Sequence, residues 1–256
     1  MWTPTLDPVL LEVFGLEVRY YGLAYVFGFL LGWYFLHRAR DHLRLSKDEV
    51  SDFIFYLMLG VIIGSRLFHV AFWEPAYYFS QPWKIFYLWE GGMAYHGGLV
   101  GSIVAGYWYC RKKRVPFFKV ADILSVPALI ALGLGRVANF MNAELVGRVT
   151  DVSWCVNFGD GLCRHPYTLY SALKRFALAG VLFWIGKRGL FKEGFIFWSM
   201  IFLMGIGRFF LDFYREDLLY IGLSVGQWMS LVMILLGGIV IFLRHRQDVL
   251  LVLESP

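Results

Sequence analysis

The sequence is short of charge. Lys, Arg, Asp and Glu make up 17% of its 256 residues, against about 25% in an ordinary soluble domain. Hydrophobic residues reach 59%, and a soluble chain of this length would leave too much apolar surface in water. Three cysteines are too few for a disulfide scaffold, and the 8 prolines and 27 glycines show neither low-complexity tracts nor a collagen period. No repeat of fixed period and no inverted repeat of the transporter kind is visible. Residues 1–13 carry no basic stretch followed by an apolar core, so no cleaved signal peptide is expected and the first apolar span must target the chain. The net charge of +5 does not point to nucleic acid, which requires basic residues gathered on one exposed face. Here they lie in short clusters between apolar stretches.

What is present is a set of long apolar runs. A helix needs about 20 mostly apolar residues to cross the hydrocarbon core, and seven stretches qualify, at roughly 18–37, 50–72, 92–110, 117–136, 167–186, 194–212 and 223–243. They are too long and continuous for the alternating strands of about 10 residues in a membrane β-barrel. The expectation is an all-α, polytopic integral membrane protein of about seven transmembrane helices. It would be one domain over residues 1–256, with a small external subdomain at about 137–166. The basic residues then set orientation. Arg38 to Lys47, Arg111 to Lys119, Lys187 to Lys192, and Arg244 with Arg246 hold fourteen of the twenty-four Lys and Arg. All fourteen fall on one side of a seven-span chain. The N-terminus is therefore expected outside and the C-terminus in the cytoplasm. Cys155 and Cys163 bracket an external loop where an oxidising compartment permits a disulfide, although two unpaired thiols fit the spacing equally well. Cys110, at the cytoplasmic end of the third span, is expected to be inert.

Ionisable groups inside a bilayer cost at least about 2.5–3.5 kcal/mol each and call for a partner or a purpose. Three segments carry them. Glu90 to Gly101, E-G-G-M-A-Y-H-G-G-L-V-G, sets His96 among five glycines. It is no phosphate-binding P-loop, since no G-K-[ST] follows. The glycines let a neighbouring backbone or a ligand come close, and His96 either bonds a neighbouring helix or belongs to a site. Gly133 to Arg148, G-L-G-R-V-A-N-F-M-N-A-E-L-V-G-R, places Arg136 and Asn139 on one helix face, with Glu144 two turns on as a possible partner of Arg136. Gly205 to Asp217 places Arg208 and Asp212 four apart, where they can neutralise each other. Tyr21, in R-Y-Y-G-L-A-Y, sits where belt tyrosines sit. Yet two guanidiniums towards the external ends of their spans suggest an anion, because their planar fork of donors matches phosphate. These residues outline an outward-opening polar site for a phosphorylated amphiphile. Gly222 to Gly226 spells G-x-S-x-G around Ser224, but a nucleophile elbow needs a strand–turn–helix context that this span does not offer.

Taken together, R-Y-Y-G-L-A-Y, G-G-M-A-Y-H-G-G-L-V-G, G-R-V-A-N-F-M-N-A-E-L-V-G-R, R-H-P-Y-T-L-Y at 164–170 and G-R-F-F-L-D-F-Y-R at 207–215 resemble the prolipoprotein diacylglyceryl transferase family over most of the chain. The resemblance implies an active site containing Tyr21, His96, Arg136, Asn139, Glu144, Gly147 and Arg208. Asn142 and Arg148 match the same string. Two departures stand out: Asp212 takes the place of the family's usual Glu, and Ala143 that of a usual Gly. The loop from Val149 to His165 is also short for the family.

The implied reaction moves the diacylglyceryl group of phosphatidylglycerol onto the lipobox cysteine of a prolipoprotein signal peptide, at the outer face of the bacterial cytoplasmic (inner) membrane. Arg136 and Arg208 are expected to clamp the phosphate, Asn139 to add a neutral donor, and His96 to act as base or headgroup ligand. Glu144 and Asp212 would orient the arginines. No metal, nucleotide or bound organic cofactor is indicated. A lipid or organic-anion transporter or flippase using the same arginines is the alternative. An intramembrane protease would instead require Ser224 and His96 as a working pair.

Overall fold

The computed structural model of the chain describes residues 3, 7, 9–13, 16–189 and 191–254. A short antiparallel hairpin of β1 (Val9–Val13) and β2 (Leu16–Arg19) leads into α1 (Tyr20–Leu43). Next come α2 (Lys47–Phe72), the single-turn α3 (Pro75–Ser80), two 3-10 turns over Pro82–Phe86 and Leu88–Glu90, then α4 (Tyr95–Lys113) and α5 (Phe117–Met141). After an irregular segment follow α6 (Tyr167–Arg188), α7 (Phe195–Leu211) with a 3-10 turn over Asp212–Tyr214, the two-residue strands β3 (Leu219–Tyr220) and β4 (Leu223–Ser224), α8 (Val225–Arg244) and α9 (Arg246–Glu254).

Each of the seven apolar runs lies on one long helix. Five of these helices, α2, α5, α6, α7 and α8, are long and apolar enough to cross a membrane by length and composition. Tyrosine, tryptophan and glycine lower the hydropathy of α1 and α4. Some boundaries differ from those read off the sequence. α5 runs five residues beyond 136, so residues 137–141 are helix rather than external loop. The hairpin, α3 and α9 escaped the reading because elements this short carry no span-length apolar signal. Local chemistry starts the helices: Ser46 and Ser224 each make a capping box, with Glu49 and Gln227 respectively. Ser224 is thus a helix cap and 1% exposed.

The chain divides into two compact units, Gly32–Val120 and Met1–Leu31 with Ala121–Pro256. In the first, α2 and α4 pack backbone to backbone through glycines. A Cβ on Gly64 would stand 2.9 Å from Gly101 Cα, and one on Gly98 would stand 2.6 Å from Ser65 Oγ. The glycines beside His96 are therefore filled by a neighbouring helix, the small-residue contact that drives helix association in lipid. Arg66 of α2 is 3% exposed and donates to the carbonyls of Lys84 (2.5 Å), Ile85 (2.8 Å), Tyr87 (3.1 Å), Gly91 and Gly92 (3.1 Å). One guanidinium thus satisfies the irregular backbone between α2 and α4.

In the second unit, α7 lies against α6 and α8. Asp122 of α5 accepts from the backbone N–H groups of Gly194 (2.6 Å) and Phe197 (2.8 Å), capping the start of α7 from another helix. Nearby, the buried His245 and Asp248 pair at 2.8 Å, and Asp248 also receives the Lys192 N–H.

Candidate active site

α5 ends in a hydrogen-bonded relay. Arg136 Nη1 donates to Asn139 Oδ1 at 3.2 Å, and Asn139 Nδ2 donates to Glu144 Oε2 at 2.7 Å. Asn142 Nδ2 holds the other carboxylate oxygen at 3.0 Å. Arg136 therefore reaches Glu144 through Asn139, and among the described residues the two make no direct ion pair. The helix stops because Ala143 and Leu145 adopt left-handed backbone, φ 54° and 53°, which turns Glu144 back so that its N–H bonds the Asn139 carbonyl at 2.9 Å. Left-handed backbone is costly for a residue with a Cβ. Two such residues flanking one carboxylate mark a conformation held by its surroundings.

The segment after Glu144 crosses to the end of α7. Gly147 and Arg215 form a β-bridge, Arg148 N–H donates to the Tyr214 carbonyl at 2.9 Å, and Arg148 Nε donates to the Arg215 carbonyl at 3.0 Å. Gly147 is needed there, since a Cβ would stand 2.7 Å from that of His165. The rest of this small head is tied by bridges from Arg164 to Val149 and Val156 and by a Cys155–Cys163 disulfide, Cα atoms 5.3 Å apart. Arg164 also binds Asp160 at 2.5 Å, Glu216, and the Gly147 carbonyl at 3.1 Å. Its guanidinium holds the Asp160 carboxyl below the usual range.

At the end of α7, Asp212 is 1% exposed. One of its oxygens accepts from Tyr167 OH of α6 at 2.5 Å, and the other from Arg208 Nε at 3.3 Å. Gly226 of α8 leaves room for this pair, because a Cβ there would stand 2.9 Å from Arg208 Nη2. The carboxylate engages Arg208 through Nε, side-on, and the terminal nitrogens form no ion pair among the described residues. Arg215 lies over the Tyr167 ring, its Cζ 5.8 Å from the centroid. The result is two guanidiniums, each restrained by one short-range partner, beside neutral amide donors. Guanidiniums held in this way present a fork of donors whose geometry matches phosphate oxygens.

The sequence matches the model of the prolipoprotein diacylglyceryl transferase family over residues 8–243. The chain belongs to this family. Relatives named phosphatidylglycerol–prolipoprotein diacylglyceryl transferase include those of Geobacter sulfurreducens, 43% identical over 97% of this chain and 99% of the relative, and Vibrio cholerae, 41% identical over 95% and 93%. The protein of Idiomarina loihiensis is 38% identical over 96% and 95%. As a member of the family, the chain is an all-α, multi-pass membrane protein.

Of the residues the resemblance nominated, the structure gathers Arg136, Asn139, Asn142, Glu144, Gly147, Arg208 and Asp212 within one unit. Tyr21 belongs to the same unit but is exposed, its ring 5.4 Å from that of Tyr25. His96 belongs to the other unit, at the start of α4, where it is exposed and its ring lies 5.7 Å from Tyr95 and 6.2 Å from Phe68. Among the described residues no three His, Cys, Asp or Glu side chains form a metal-binding group. Tyr167 and Gly226 escape a sequence-based search. A tyrosine at a span edge reads as a belt residue, and only the fold shows which glycine faces Arg208.

Proposed function

We propose that Arg136 and Arg208 hold the phosphate of phosphatidylglycerol while its diacylglyceryl group passes to a prolipoprotein. The activity is that of a phosphatidylglycerol–prolipoprotein diacylglyceryl transferase, in keeping with relatives matched over nearly their whole length. The single observation that carries the site is the pair of restrained guanidiniums at the ends of α5 and α7.

The acceptor is the thiol of a lipobox cysteine in the prolipoprotein signal peptide. It loses its proton to a base and attacks the sp³ glyceryl carbon. A C–S bond forms, the C–O bond to phosphate breaks, and the electron pair leaves on oxygen as glycerol phosphate. Negative charge grows on that leaving group, so preorganised guanidiniums and the Asn139 amide lower the barrier. Asn142 Oδ1 is buried without a partner among the described residues and offers an acceptor to a headgroup hydroxyl. His96 supplies the base, imidazole being the side chain suited to take up a proton in neutral solution. Tyr21 lines the lipid's approach, Gly147 lets the head pack close against His165, and Glu144 and Asp212 fix the arginines. The whole chain forms one integral domain of the bacterial cytoplasmic membrane with seven spans, N-terminus outside and C-terminus in the cytoplasm. The transporter reading has no comparable support.

The test combines purified protein, phosphatidylglycerol and a synthetic lipobox peptide, with Arg136→Ala as control and mass spectrometry as readout. A diacylglyceryl adduct on the peptide cysteine that disappears in Arg136→Ala is expected. Folded wild-type protein that yields no adduct would overturn the reading. A His96→Gln enzyme with normal turnover and an unchanged pH–rate profile would remove the base assignment alone.

A further inference from the structure

α6 carries a polar stripe through an otherwise apolar helix. Thr168 and Ser171 are buried, and Arg175 is 6% exposed and donates to the Ser171 carbonyl at 2.8 Å. On the same helix, Lys174 runs its stem over Gly207, where a Cβ would meet Lys174 Cδ at 2.5 Å. Its Nζ is shielded from solvent and has no hydrogen-bond partner among the described residues. An ammonium has three donors and no acceptor, and burying it unpaired is among the costliest placements a side chain can take. The lysine stem meets α7 one residue before Arg208, whose Nε is paired with Asp212. Among the described residues no carboxylate pairs with the ammonium, and the missing partner is an anion rich in oxygen acceptors.

We propose that Lys174 is a third cationic ligand of the phosphate, completing the site that Arg136 and Arg208 begin. The assignment rests on the phosphate-site reading above and deepens it. A phosphodiester headgroup carries one negative charge, and the glycerol phosphate that leaves approaches two. Two guanidiniums partly neutralised by Glu144, reached through Asn139, and by Asp212 suit the first state. A further ammonium with idle donors suits the second. Gly207 is what admits the lysine stem to α7 one residue before Arg208.

The experiment uses the full-length protein in detergent micelles with phosphatidylglycerol and the lipobox peptide. Lys174→Met, Lys174→Arg and Gly207→Ala are compared with wild type. Lys174→Met, which keeps the stem and removes the charge, is expected to lower kcat/KM for phosphatidylglycerol at least tenfold and to weaken inhibition by glycerol 1-phosphate at least tenfold. The KM for peptide should stay unchanged, and Lys174→Arg should restore most of both losses. Weaker inhibition by glycerol 1-phosphate but not by inorganic phosphate would place Lys174 at the lipid-derived ester; weakening of both would place it at the phosphoryl oxygens. Wild-type kinetics and inhibition in Lys174→Met would overturn the proposal, as would a loss that Lys174→Arg leaves unrepaired. Should Lys174→Met fail to fold, Gly207→Ala decides, because it displaces the lysine without removing it; full activity there overturns the assignment. Calorimetric binding of glycerol 1-phosphate to wild type and Lys174→Met needs no turnover. It reports on Lys174 even if no adduct forms and the transferase reading itself fails.

Discussion

The role proposed for Arg136 and Arg208 rests on what they do not do. Each meets a neighbour three or four residues away on its own chain, but neither is closed into a bidentate carboxylate pair among the described residues. Lysine in either place keeps the charge and loses the planar fork. Arg136→Lys and Arg208→Lys are each expected to lower turnover roughly a hundredfold, the cost of removing one preorganised donor from a developing anion. Adduct formation with time checks it, and full activity in both variants would remove the clamp. Ala143 is a second residue-scale case. Its φ of 54° explains why glycine suits this position, so Ala143→Gly should relieve strain and gain up to about 1 kcal/mol after the entropy cost of glycine. A lower unfolding midpoint in detergent would contradict this. Asp212 is legible as a carboxylate four residues from Arg208. That a tyrosine from another helix shares it is not, because such a contact depends on which faces of α6 and α7 meet.

At the scale of elements, the α2–α4 contact and the small head behave differently. Gly101 lies against Gly64, where a Cβ would come within 3.0 Å of its Cα. Gly101→Val is expected to destabilise by about 1–3 kcal/mol. Gly180→Ala on α6, with open space around the added carbon, should be close to neutral. Thermal unfolding of the two variants separates them, and equal midpoints would refute the close packing. The head leans on Arg164. The Asp160 carboxyl sits below its ordinary value of 3.8, chiefly through its hydrogen bond to Arg164. Because the folded-state value is depressed, this contribution is present above the unfolded value and is lost as pH falls through the folded one. Hydrogen exchange across Thr150 to Arg164 should therefore rise on acidification below about pH 4 in wild type, and Asp160→Asn should show the raised exchange already at neutral pH. The glycine string around His96 was readable as a place of close approach. Whether backbone or ligand made the approach was not, since glycine permits both.

For the whole molecule, the proposed orientation follows from the distribution of basic residues. Arg111 to Arg114 end α4, and Lys187 and Arg188 end α6, the side that positive residues favour. In intact cells an impermeant maleimide is expected to label Asp151→Cys, in the head, and to spare Lys112→Cys until the membrane is opened. Both positions are exposed on the protein, and the native Cys110 is buried. The reverse pattern would invert the topology.

Composition and the length of the apolar runs determined that this chain is a helical membrane protein, because hydrocarbon leaves the backbone no other partner for its polar groups. The same sequence named Arg136 and Arg208, since ionisable groups inside spans stand out against their cost, and Asn139 and Glu144 by their helical spacing from Arg136. Tertiary structure decided how far α5 runs, that Arg136 meets Glu144 through Asn139, that Tyr167 shares Asp212 with Arg208, that Gly226 faces this pair, and that Lys174 lies over Gly207. Those facts depend on the azimuth and depth at which helices pack. Small residues and backbone fit set these between elements distant in sequence, and a one-dimensional pattern does not encode them.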